Sequence, residues 1–199
     1  CGVGAAPISE EYREDLKKYF LSMFPIENPL NRPVFAWNTF GEYLDCLDRY
    51  PAAINMGSLV SQGAVRLAVK GFQKGAANAE ELRNMQELVS EAMEAGAFGI
   101  STGLNYLPGA FCDRKELAEV TKPVSAYGGL YVSHIRTQSE GIFEALDEAF
   151  AIAGDGGKVC GDGGIILLGF SVAQDSDLTV EVDPLNFRLF FHAHLDPLP

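Results

Sequence analysis

At 199 residues the chain can bury a sizeable core, yet it is shorter than the roughly 250 residues of a complete eight-fold α/β barrel. A net charge of −12 argues against a phosphate-binding, nucleic-acid surface, and no apolar run approaches the roughly 20 residues that span a bilayer. With 47% apolar and 21% charged residues the composition is globular rather than disordered, and Cys1, Cys46, Cys112 and Cys160 form no CxxC pair, so zinc-ribbon and thioredoxin readings fall away and a reduced, cytoplasmic setting is expected.

"CGVGAAP" opens the chain and admits two chemistries. Cys1 is either an N-terminal nucleophile activated by its own α-amine, or the end of a strand where Gly2 and Gly4 turn the chain back and the thiol is free to hold a metal. "EEYREDLKKYF" has helical period, and the three prolines of "LSMFPIENPLNRP" break it. "WNTFGEYLDCLDRY" predicts a second helix capped by Thr39, with Phe40, Tyr43, Leu44 and Leu47 on one face and Cys46 as a packed residue.

A rhythm follows. "AAINMGSLV" is a short apolar segment ending at polar "SQG". "NAEELRNMQELVSEAMEAG" is a long amphipathic helix with Leu82, Met85, Leu88, Val89, Ala92 and Met93 on its stripe and Gly96 at its C-terminal end. "AFGIST" is the next strand. "DRKELAEVTKPVSAYG" is the next helix, in which Pro123 is expected to kink or interrupt the spiral. "GLYVSHIR" is a strand and "SEGIFEALDEAFAIAG" a helix. Such alternation predicts βαβ units and a parallel sheet, with chemistry at the carboxyl ends of strands. The residues there are Ser61 and Gln62, Ser101 and Thr102, and His134 and Arg136. The last two alternate on the predicted strand and so face one side, where Arg136 suits a substrate carboxylate; a hydrogen-bonded pair near the core is the other reading.

"CGVGAAP", "TFGEYLDCLDRYPAAINMGSLV", "EAMEAGAFGISTGLNYLPGAF" and "GGLYVSHIRTQSEGIFEALDEAFAIA" together resemble the N-acyl-D-amino-acid deacylases (D-aminoacylases) of the amidohydrolase superfamily, from Cys1 to about Ala153. The resemblance implies an α/β fold, an incomplete TIM-type (β/α) barrel of the metal-dependent hydrolase kind. Residues 1–153 would be a partial barrel domain and 154–199 a divergent tail. It implies zinc as cofactor, a small N-acyl-D-amino acid as substrate, and hydrolysis of the amide by zinc-activated water. Cys1-Gly2 falls on the family's zinc-ligand cysteine, so Cys1 is expected to be a metal ligand inside a truncated chain. Tyr106, in "STGLNYLPG", falls in the loop over the family's active site and is expected to bind substrate together with His134 and Arg136.

The departures carry expectations too. The family's HxH metal pair lies upstream of the cysteine strand, "VSQGAVR" replaces a histidine-bearing "GHG", and the resemblance stops after Ala153. Taken alone, the chain is expected to bind zinc weakly and to be inactive, because a catalytic zinc normally takes three protein ligands. A non-catalytic remnant of the barrel is the alternative. An N-terminal cysteine hydrolase is a weaker one, since that class uses antiparallel sheets. "FFHAHLDPLP" offers His192, His194 and Asp196 in an HxHxD pattern, read as part of an unrelated tail. "GDGGKVCGDGG" lacks any phosphate-loop spacing and is read as a flexible turn.

Overall fold

The computed structural model describes residues 2–23, 35–50, 53, 56–155, 165–168, 178–183 and 188–193. Cys1, Cys160, His194, Asp196 and most of "GDGGKVCGDGG" lie outside them.

The first helix, α1 (Arg13–Met23), runs through "LSM" before the first proline. In α2 (Phe40–Arg49) the Thr39 hydroxyl accepts from the Glu42 amide while the Glu42 carboxylate reaches back to the Thr39 amide, so both ends of the capping pair are satisfied. Cys46 packs half-buried beside the core.

Among the described residues of the segment read as an apolar strand, β1 (Val60–Ser61) pairs with a neighbouring strand, and the Ser58 carbonyl also accepts from the Phe98 amide at 2.9 Å. The polar "SQG" is not a loop: the Ser61 hydroxyl caps α3 (Gln62–Lys70), which starts at once and is buried over most of its length. Next come α4 (Ala79–Glu94) and β2 (Gly99–Gly103). Asn78 caps α4, and Gly96 just past its end holds φ at +111°, a conformation open to glycine. The Asp113 carboxylate caps α5 (Arg114–Ala126), which runs uninterrupted through Pro123. The remaining elements are β3 (Leu130–His134), α6 (Ile142–Asp155), β4 (Ile165–Leu168) and an antiparallel pair, β5 (Leu178–Asp183) with β6 (Arg188–Ala193).

Strands β1 to β4 form one sheet in chain order, every pairing parallel. Its fourth strand lies beyond residue 153, so the sheet continues into the stretch read as a tail. The successive helices α3, α4, α5 and α6 pack each against the next. All of β2 is buried, and Ile100, Val60, Tyr131, Met85, Val89, Leu117 and Ile152 make a core at 0% exposure. Among the described residues no helix is long and apolar enough to cross a membrane.

Candidate functional site

Parallel pairing brings the carboxyl ends of β1, β2 and β3 to one edge, with Ser61 beside Ser101 and Gly103 beside His134. The opening turn of the chain lies on that edge. The Gly2 amide donates to the Ser101 hydroxyl at 3.2 Å. Gly2 sits at φ +68°, and a side chain there would overlap the backbone of Gly103; a side chain at Gly4 would overlap Ser61. Cys1 itself is outside the described residues, but the residue bonded to it rests on the end of β2.

Beneath this edge the polar side chains satisfy one another. The Thr102 hydroxyl donates to Ser133 at 3.0 Å and lies 3.1 Å from the Tyr131 hydroxyl, all three fully buried. Gln62, also fully buried, donates from Nε2 to the Cys112 sulfur at 3.1 Å, and its Oε1 has no partner among the described residues.

His134 closes β3 and gathers two side chains that the sequence did not single out. Asn105 Nδ2 lies 3.0 Å and Gln138 Nε2 3.2 Å from the same ring nitrogen, Nε2. With both amides turned this way Nε2 is the acceptor, which corresponds to a neutral ring protonated on Nδ1. Burial acts in the same direction, lowering the His134 pKa. The Tyr106 ring stands edge-on to the imidazole, centroids 5.4 Å apart at 71°. It occupies the space above Gly103, where any side chain would overlap it. Burial, with Tyr19 nearby, pushes the Tyr106 phenol up to about 12.

Arg136 does not join this group. The strand ends at His134, so alternation no longer sets the direction of Arg136. Its guanidinium makes two 2.8 Å bonds to the Glu148 carboxylate on α6, and Nη2 also donates to the Cys112 carbonyl at 3.1 Å. It lines a cavity of about 550 Å³ with Arg114, Glu144 and Glu148, and neither Tyr106 nor His134 is in that wall. Arg136 is therefore paired with Glu148, while the amides of Asn105 and Gln138 lie on His134. Asn105 had a sequence signal of sorts, being next to Tyr106 in a marked loop. Gln138 and Glu148 had none, since only the fold brings them to their partners.

Among the described residues no three His, Cys, Asp or Glu side chains converge as a metal site. One neutral imidazole is short of the three ligands a catalytic zinc normally takes, so these residues do not by themselves hold the ion.

A parallel βα sheet with polar groups at the carboxyl ends of its strands is where barrel enzymes keep their chemistry, and solved structures bear on which barrel this is. The chain superposes on a D-aminoacylase described as defining a novel subset of amidohydrolases, with TM-score 0.67 and 30% identity, over 84% of this chain and 32% of that one. It superposes likewise on the N-acyl-D-glutamate deacylase of Bordetella bronchiseptica, solved with zinc and a phosphonate inhibitor, with TM-score 0.65 and 33% identity over 77% and 30% of the two chains. Two curated relatives come from Alcaligenes xylosoxydans xylosoxydans. The D-aminoacylase is 42% identical over 59% of this chain and 24% of its own length, and the N-acyl-D-aspartate deacylase 33% identical over 76% and 29%. No family model matches the chain. The chain belongs with the N-acyl-D-amino-acid deacylases of the amidohydrolase superfamily, and spans about a quarter to a third of the length of these relatives.

Proposed function

We propose that this chain is a portion of a zinc-dependent enzyme that hydrolyses the amide bond of N-acyl-D-amino acids, and that by itself it is inactive. The observation that carries the reading is the seating of the Gly2 turn on the end of β2, beside the residue that pairs with His134. That turn follows Cys1 in the chain and lies at the carboxyl rim, where barrel enzymes keep their chemistry. In this reading Cys1 is a metal ligand, and Tyr106 and His134 face the small-molecule substrate. Residues 1–153 are the partial barrel and 154–199 diverge from it, although β4 still extends the sheet. The described residues do not complete a zinc site, so no catalytic step is assigned to them.

The test has two arms. The 199-residue chain is titrated with zinc by calorimetry and assayed against N-acetyl-D-amino acids. Weak binding without turnover is expected; tight stoichiometric binding with turnover would show that the chain supplies a whole site. Residues 1–153 are then grafted in place of the matching segment of the N-acyl-D-aspartate deacylase. The graft should regain zinc and D-specific hydrolysis, Cys1→Ala should lose both, and Cys46→Ala should keep them. A graft that binds zinc equally with and without Cys1 removes the ligand assignment. One that folds without zinc or turnover favours the non-catalytic remnant.

A further inference from the structure

The loop that carries Tyr106 is held at several points. The Ala110 amide donates to the Tyr106 carbonyl at 2.8 Å, the Phe111 amide to Pro108 at 3.0 Å, and the Cys112 amide to Gly109 at 3.0 Å, so successive tight turns join Tyr106 to Cys112. The upstream foot is Asn105 on His134. Midway, the Tyr19 hydroxyl donates to the Leu107 carbonyl. The downstream foot is Cys112, whose sulfur receives Gln62 and whose carbonyl receives Arg136. Arg136 is fixed in turn by its two bonds to Glu148, with the two side chains 34% and 18% exposed. A planar guanidinium can satisfy a carboxylate and a carbonyl at once; a lysine ammonium has no such fork.

We propose that Arg136 is a positioning residue: by bridging Glu148 of α6 to the Cys112 carbonyl it fixes the loop between Asn105 and Cys112, and so holds the Tyr106 ring against His134 without touching substrate itself. The same bridge ties the loop to the helix that follows β3, so one guanidinium sets the spacing of two neighbouring βα units at the rim. Were the bridge released, the loop would keep its own turns but lose its outer anchor. The inference rests on the reading that Tyr106 faces substrate. Its test reads ring geometry rather than turnover, so an inactive chain and a misplaced Arg136 give different results.

The full chain is labelled with [13C]tyrosine, and the Tyr106 ring signal is identified by its loss in Tyr106→Phe. The unaltered chain should show a nuclear Overhauser effect between the Tyr106 and His134 rings and slow amide exchange at Ala110 and Cys112. Arg136→Met should abolish the ring contact and speed that exchange about tenfold or more. Glu148→Gln, which keeps the shape and removes the charge, should weaken both, and it decides the matter if Arg136→Met does not fold. Lys70→Met, which breaks the partly buried Lys70–Glu81 pair elsewhere in the fold, should leave both unchanged. Ring contact and exchange preserved in the Arg136 and Glu148 variants, or disturbed equally by Lys70→Met, would overturn the proposal.

Discussion

Cys46 and Cys112 are both free thiols, and the fold places them in different chemistry. Cys46 lies half-buried on α2, as its helical spacing predicts. Cys112 is 4% exposed, and burial, reinforced by the Glu116 carboxylate, pushes its pKa up to about 12. At pH 8 a thiol of that kind is thiolate to roughly one part in 10⁴, and the thiolate is the nucleophile. In a chain with Cys1 and Cys160 replaced by serine, a disulfide reagent at pH 8 should label Cys46 first. Cys112 should follow about 100-fold more slowly or only on unfolding, because both burial and protonation protect it. Peptide mass spectrometry reads the order; equal rates would mean the 104–112 loop is not closed as described. Cys112 thus serves as a packing and hydrogen-bonding group under the Tyr106 loop.

Pro123 shows how a local defect is repaired between elements. Proline has no N–H, so the carbonyl four residues back, that of Glu119, loses its helical donor. Gln86 of α4 supplies the missing bond, donating from Nε2 to that carbonyl at 2.8 Å. Of the kink or interruption expected at Pro123, the interruption does not occur, since a proline's cost depends on what neighbouring elements can offer. Gln86→Leu should destabilise the chain by about 1–2 kcal/mol, the cost of an unmade hydrogen bond at a partly buried carbonyl. In a Pro123→Ala background, where an amide is again present, the same change should cost close to nothing. Urea unfolding of the four chains gives the coupling directly, and an equal Gln86 effect in both backgrounds would refute it. By contrast the sequence marks "SQG" only as the polar end of an apolar segment, whereas Ser61 ends one element and caps α3, the next.

Over the whole molecule, the Arg66–Glu116 pair binds three separate stretches. The two side chains are 0% and 1% exposed and meet at 2.9 Å. Arg66 also donates to the carbonyls of Gln73 and Gly75, and Glu116 accepts from the Ala77 amide. The pair thereby ties α3 and the α3–α4 connection to the first turn of α5. Removing one partner leaves a buried charge unpaired, so Glu116→Ala should cost about 3–5 kcal/mol. Replacing both, as Arg66→Met with Glu116→Leu, should recover much of that loss, because two charges no longer need to be desolvated. Breaking the exposed Lys17–Glu14 pair by Lys17→Met should leave the urea midpoint nearly unchanged. A Glu116→Ala chain as stable as the unaltered one would mean that water reaches the pair.

The alternation of strand and helix, the caps at Thr39 and Gly96, the stripe of α4 and the likeness to the D-aminoacylases were all legible in the residues, because each depends on near neighbours along the chain. Backbone periodicity turns local spacing into a buried face before any distant contact forms. The parallel order of the strands also followed from that alternation, since a helix between two strands returns the chain to the same end of the sheet. The partners were another matter. That Asn105 and Gln138 converge on His134, that Arg136 belongs to Glu148, and that Arg66 meets Glu116 were decided only by the tertiary structure. A side chain's direction follows the strand only while the strand lasts. Here it stops at His134, two residues before Arg136, and beyond that point packing and charge pairing choose the contact.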